Sequence, residues 1–243
     1  RVNQFLNEEE EVQKENIEKK DLKENVPLIE IKNLSYHYDD SIELIFNDTS
    51  LIIQKGSQVA FQGRTGAGKT TLFRLLTGLV EPSSGSIKIC GIEAKKIPSS
   101  LKSELFGYVS QGFQKVPGTI KDQITLKDPS ITQEQVEKAM KQVFLDDYVK
   151  SEIKGGYDQQ FEGNLFSRGQ LQLLSFARAI VKDPEILLLD EISANLDTDS
   201  EKKLLLAIQN LKDKKTVLCI SHRLNEALSF SSVISVENQK LNP

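Results

Sequence analysis

Residues 63–70 read GRTGAGKT, and the fold follows from what stands on either side of them. Upstream, the turn residues Lys55 and Gly56 lead into a β-prone run at 58–61. Downstream, KTTLFRLLTGL sets Leu72, Leu75, Leu76 and Leu79 at helical spacing. Strand, glycine-rich loop and helix are the context in which G-x-x-x-x-G-K-[ST] means a phosphate-binding loop. Gly63, Gly66 and Gly68 let backbone N–H groups of the loop, with Arg64, Thr65 and Ala67 between them, wrap phosphate oxygens free of Cβ interference. The amino end of the following helix adds its positive dipole end. Lys69 is expected to reach the terminal phosphates and Thr70 to ligand Mg²⁺. A glycine-rich turn with a surface lysine is the plain alternative, and the flanking pattern argues against it.

A second signal lies at 185–191, EILLLDE. Its continuous apolar run is the mark of a parallel strand buried on both faces. Asp190, at the carboxyl end, is placed to hold Mg²⁺ through water. Glu191, next to it, is placed to polarise an attacking water. Two solvated acids at a strand end are common, and it is the phosphate loop that favours the chemical reading. His222, in ISHR, follows the strand at 216–220, where α/β sheets place their ligands. Gln111, in YVSQGF, follows a short strand at 107–109 and can ligand the metal or the water. Tyr38, beside Tyr36 and His37, offers an aromatic face for adenine, although strand-edge packing would explain it equally.

Around these signals the chain reads as α/β. The stretch 28–61 is β-rich and partly antiparallel in pattern, with strand signals at 28–34, 42–46, 50–54 and 58–61. Residues from about 112 to 182 read mostly helical, Thr132 with Gln135 forming a capping box and Ser167 capping a helix that runs to Val181 before Asp183 and Pro184 stop it. A helix at 199–211 capped by Asp199 or Ser200, a strand at 216–220, a short helix near 224–228 and a strand at 233–236 follow.

The 31 basic and 35 acidic side chains leave a net charge of −4, so no nucleic-acid partner is expected. Cys90 and Cys219 have no C-x-x-C spacing and read as buried small hydrophobes of a reducing compartment. No apolar run approaches the ~18 residues that span a bilayer. Residues 1–27 are densely charged, read as a solvated helix or tail and as a linker to something upstream. The chain begins with Arg1 and its one Met is Met140, so a trimmed piece of a longer protein is expected.

The segment NLFSRGQLQLLSFARA at 164–179 holds no Cys, His or carboxylate, yet opens a helix with Ser, Gly and Gln. Phosphate loop, Gln loop, S-x-G-Q, strand–Asp–Glu, S-x-x-L-D and His together form one ordered set. That set resembles the nucleotide-binding domain of ATP-binding cassette (ABC) transporters over residues 28–237. The resemblance implies the ABC ATPase fold: a RecA-like P-loop core with an antiparallel β subdomain and a helical subdomain at about 112–182, the domain as a whole being 28–243.

Residue by residue, the resemblance implies that Tyr38 stacks on adenine and that Gly63 to Thr70, with Thr71 beside it, form the Walker A loop. Gln111 is then the Q-loop glutamine, near Mg²⁺. Asp190 and Glu191 are the Walker B aspartate and catalytic glutamate, Asp197 closes the D-loop SANLD, and His222 is the switch histidine. Ser167, Arg168, Gly169 and Gln170 stand in the LSGGQ signature, which in this family covers the ATP held by a second, head-to-tail domain. The implied cofactors are ATP and Mg²⁺, and the implied partners a second nucleotide-binding domain and a transmembrane domain fused N-terminally, on the cytoplasmic side of the cell membrane. The charged N-terminus and GTIKDQI at 118–124 look exporter-like. Phe166 replaces Leu as in the multidrug-resistance-associated branch, and Arg168 stands where Gly is usual. A soluble ATPase acting on DNA or ribosomes and a binding-only cassette are the competing readings. The first lacks its coiled-coil insertion or tandem cassette here. The second is disfavoured by Glu191 and His222, although the unusual signature leans mildly toward it.

Overall fold

The computed structural model describes residues 17–39, 41–110, 112–162, 164–192, 196–211, 214–221, 228, 230 and 232–242. In chain order the strands are β1 (Ile29–Tyr36), β2 (Phe46–Ile53), β3 (Gln58–Gln62), β4 (Ser84–Ile89), β5 (Ile92–Glu93), β6 (Phe106–Val109), β7 (Ile186–Asp190), β8 (Thr216–Ile220), β9 (Ser232–Glu237) and β10 (Lys240–Asn242). The helices are α1 (Lys69–Leu76), α2 (Ser99–Leu105), α3 (Ile120–Thr125), α4 (Gln133–Gln142), α5 (Asp146–Glu152), α6 (Arg168–Ile180) and α7 (Thr198–Gln209).

Every residue of β7 and β8 is buried. The two pair in parallel, Ile186 opposite Thr216 and Asp190 opposite Ile220. Side chains alternate between the faces of a strand, so a strand covered on both sides needs apolar residues throughout. Leu187, Leu189, Val217 and Cys219 enter one core, shared with the apolar faces of α3, α4 and α6. Ile186, Leu188, Leu218 and Ile220 enter another, shared with α1, α2 and the strands β1, β2 and β4.

The six-stranded sheet has the order β10-β9-β3-β8-β7-β6, and only the β9–β10 hairpin in it is antiparallel. The four-stranded sheet, β2-β1-β4-β5, is antiparallel throughout. Its centre, β1, buries Ile29, Ile31, Leu34 and Tyr36 against the second core.

Several boundaries differ from the sequence pattern. The signals at 42–46 and 50–54 resolve into one strand, β2, and Ile42 stands fully exposed ahead of it. Helix α1 stops at Leu76, because Gly78 takes φ +63° and turns the chain, so Leu79 is exposed rather than core. Helix α7 is capped by Asp197, not by Asp199 or Ser200: its carboxylate accepts the Ser200 N–H at 2.9 Å and the Ser200 hydroxyl at 2.7 Å. Cys219 is fully buried, whereas Cys90 is only half-buried, at φ +49°. The expected helix near 224–228 lies outside the described residues, apart from Leu228 itself.

The described end of the charged N-terminal run keeps its charged residues exposed and docks through apolar ones. Ile17 and Leu22 pack on the second core, and the Lys23 N–H donates to the Cys90 carbonyl at 3.1 Å.

Leu188→Ala removes a side chain wholly inside the second core and should cost about 2–5 kcal/mol of unfolding free energy. Leu79→Ala should stay within about 0.5 kcal/mol. Urea denaturation followed by circular dichroism separates the two.

Candidate nucleotide site

Strand β3 ends at Gln62 and the phosphate loop follows at once, closing on α1. Gly68, at φ +99°, caps that helix, and a Cβ there would overlap the Ile45 side chain and come within 3.2 Å of the Phe46 ring. The loop can therefore lie flat on β2 only with glycine at this point. Lys69 Nζ donates to the carbonyls of Gly63, at 2.8 Å, and Arg64, at 2.9 Å. That centres its ammonium group in the loop, while Arg64, Thr65 and Gly66 are exposed along the rim.

Between β3 and β7 lies only β8. At about 4.8 Å per strand, the first turn of α1 must cross roughly 10 Å of sheet edge to reach the end of β7. It does so: Thr70 Oγ1 donates to Asp190 Oδ2 at 3.0 Å. A second hydroxyl, that of Tyr108, donates to the same oxygen at 3.0 Å. Burial first, then the Asp190 charge and this hydrogen bond, push the Tyr108 phenol well above its ordinary pKa, so it acts as a donor throughout the physiological range. A hydroxyl and a carboxylate side by side at a phosphate loop are hard oxygen donors of the kind Mg²⁺ accepts, with phosphates and water filling its remaining positions. The residues present fit that ion.

Glu191 takes φ +52°, a left-handed conformation rare outside glycine, and its N–H donates to the Ile220 carbonyl at 2.9 Å. This kink turns the chain off the sheet immediately after Asp190 and leaves Glu191 exposed. Strain of this kind collects at functional positions. Tyr38 is 39% exposed. Its hydroxyl shares a 2.9 Å hydrogen bond with Thr71 Oγ1, and its ring meets Tyr36 edge-on at 5.3 Å. Tyr38 and the phosphate loop are thus brought together, through the residue next to Thr70.

The signature segment is built differently. Ser167 Oγ accepts the Gln170 N–H at 3.2 Å and Gln170 Oε1 accepts the Ser167 N–H at 2.8 Å, a reciprocal capping box. Ser167 and Arg168 are exposed, and the Ser167 hydroxyl proton remains able to donate outward. Phe166 is buried in an aromatic cluster, 5.9 Å from Phe161 and 5.7 Å from Tyr148. Phenylalanine in place of leucine therefore anchors the segment. Gly169 lies against the start of α7, where a Cβ would overlap Ser200 Oγ and Asp197 Oδ2. Asp197 thus sits beside the signature, and the Ser200 N–H and hydroxyl hold its carboxyl below the usual range. Farther along α6, Arg178 donates to the carbonyls of Gln123, at 2.5 Å, and Gln114, at 2.9 Å, and lies 4.7 Å over the Phe113 ring.

Gln111, His222 and the D-loop residues Ser193, Ala194 and Asn195 lie outside the described residues. Tyr108 and Arg178 were not singled out from the sequence. The sequence marks Tyr108 only by its place in the short strand ahead of Gln111; it is the pairing with Leu188 that puts it on the same sheet face as Asp190. Arg178 carries no such local signal, because its partners are carbonyls more than fifty residues away in sequence.

Comparison with known proteins agrees with this geometry. The family model described as ABC transporter matches residues 46–194. An uncharacterized ABC transporter ATP-binding protein of Bacillus subtilis, YwjA, is 38% identical over 86% of this chain and 36% of its own length. An ABC transporter ATP-binding/permease protein of Haemophilus influenzae is 34% identical over 91% of this chain and 40% of its own. A Staphylococcus aureus protein named for multidrug export, also an ATP-binding/permease protein, is 35% identical over 86% of this chain and 36% of its own. The solved structure of a bacterial Atm1-family ABC exporter with ATP bound superposes with a TM-score of 0.79 at 28% identity, covering 90% of this chain and 39% of that one. The chain belongs to the ABC transporter family and has the ABC ATPase fold. It is a nucleotide-binding domain of that family, and it spans about two fifths or less of the length of the relatives it matches here.

Arg178→Ala leaves two carbonyls without their donor and should lower unfolding stability by roughly 2–3 kcal/mol. Arg178→Lys should recover less than half of that, since an ammonium cannot both bridge the carbonyls and stack on Phe113. Chemical denaturation of the pair tests it.

Proposed function

We propose that the chain binds Mg–ATP at residues 63–71 and works as the motor of an exporter whose transmembrane domain precedes it. The observation that carries this reading is the 3.0 Å contact of Thr70 with Asp190 beside the phosphate loop. Backbone N–H groups of residues 63–69 and the Lys69 ammonium hold the phosphates, and Tyr38 receives the adenine. Thr70 and Asp190, with Gln111, would hold Mg²⁺, which when bound would neutralise charge developing on the phosphate oxygens. Glu191 orients and polarises a water for attack on the γ-phosphorus, and the bond to the β-phosphate oxygen breaks to release ADP and phosphate. His222 steadies the γ-phosphate and that water.

The signature needs no nucleophile under this reading, because it completes a site on another copy. Ser167 and the free N–H groups at the start of α6 meet the γ-phosphate held by a head-to-tail partner. One chain carries both halves, so two copies suffice to build two sites. ATP then draws the pair together and hydrolysis releases it. No helix among the described residues is long and apolar enough to cross a membrane. Attachment to the cytoplasmic face of the cell membrane comes through the permease part that the relatives' names describe.

Glu191→Gln should slow ATP turnover by roughly 10²- to 10⁴-fold while leaving binding intact. On a sizing column this variant should move from monomer to dimer when Mg–ATP is added. ATP binding with no dimer would count against self-pairing.

A further inference from the structure

We infer that Tyr108 is a positioning residue for the metal-holding carboxylate. Its hydroxyl fixes the orientation of Asp190, so that the second carboxylate oxygen is left to the Mg²⁺ hydration shell. The inference rests on the proposed role of Asp190 and adds a residue to it.

Asp190 Oδ2 accepts two hydroxyl hydrogen bonds, each of 3.0 Å, one from Thr70 on α1 and one from Tyr108 on β6. Oδ1 accepts none from any described residue. Two donors on one oxygen define the plane of the carboxylate as one donor cannot. The two are not equivalent. Thr70 would also offer an oxygen lone pair to the metal, which its hydroxyl can do while still donating to Asp190. Tyr108 has no such second duty, and its bond holds with or without the ion.

Its placement is built in. Tyr108 pairs with Leu188 across the β6–β7 ladder, and Asp190 is the next residue along β7 on that face. The phenol therefore reaches diagonally to the strand end. Phe73, on α1, meets the Tyr108 ring edge-on at 6.4 Å and limits its swing. Phe73 is itself buried against Phe61 of β3, at 6.1 Å. The ring is thus held from the same helix that carries Thr70.

Outer partners of a metal ligand typically contribute about 10- to 100-fold to metal affinity. Tyr108 is 43% exposed, so water can partly replace its hydroxyl and the effect should be smaller. The test is the Mg²⁺ concentration that gives half of the ATP-dependent rise in melting temperature, measured for the wild type and Tyr108→Phe, with the Mn²⁺ paramagnetic resonance signal in the presence of ATP as a direct readout of the bound ion. Tyr108→Phe should raise the half-point roughly 3- to 10-fold, with the unliganded melting temperature and the ATP affinity in EDTA unchanged. Phe73→Leu, which loosens the ring but keeps the hydroxyl, should move the half-point less than Tyr108→Phe. A loss of ATP affinity in EDTA equal to that in Mg²⁺ would reduce Tyr108 to packing and overturn the inference. An unmoved half-point in Tyr108→Phe, with Asp190→Asn losing the Mg²⁺ effect, would overturn it and leave the nucleotide site standing. If Asp190→Asn also leaves the Mg²⁺ requirement unmoved, the role of Asp190 fails and the inference fails with it.

Discussion

The hydrogen bond from Thr70 to Asp190 is the constraint on which the rest of the molecule depends. It can form only if β3, β8 and β7 are parallel, adjacent and in register, so that the loop after one strand faces the acid at the end of another two places away. That arrangement needs β7 and β8 covered on both faces, which explains their unbroken apolar sequence and the two separate cores. It also needs the loop to lie low over β2, which Gly68 permits. The chemistry of the site is thus a consequence of how the sheet is buried.

The signature helix depends on different forces. Its first turn is fixed by a capping box, by Phe166 in an aromatic cluster and by a glycine that lets α6 touch the start of α7. Residues 167–170 therefore stand on a rigid seat shared with Asp197. Arg168, the residue that departs from the family pattern, is exposed at that helix end. A long side chain there is compatible with the fold and is open to solvent or a partner. At its other end α6 is tied through Arg178 to the segment that follows Gln111, so signature helix and Gln loop share one scaffold.

Much of this was legible in the sequence, for physical reasons. GRTGAGKT and EILLLD are local patterns, one set by backbone sterics and the other by two-sided burial, and both lie where they were expected. Ser167 and Thr132 declared their caps because the partner glutamine sits three residues on. What escaped notice was set by distance. Arg178 binds carbonyls far off in sequence, and the seat of Gly169 is defined by Ser200 on another helix. The α7 cap was misplaced by two or three residues because Asp197, Asp199 and Ser200 are all good cap residues, and only the backbone turn decides among them. Leu79 kept helical spacing past the point where Gly78 had already ended the helix.

The central claim is that each ATP site takes its phosphate loop from one copy and its signature from another. Mixing two inactive variants tests this most directly. Lys69→Ala disables the loop, and Ser167→Asp keeps the helix cap while setting a negative charge where the γ-phosphate would approach. A mixed pair contains one site with both lesions and one with neither, so the account predicts that ATPase activity reappears when the two are combined. Continued inactivity of the mixture, with Ser167→Asp still binding ATP at its own loop, would contradict it.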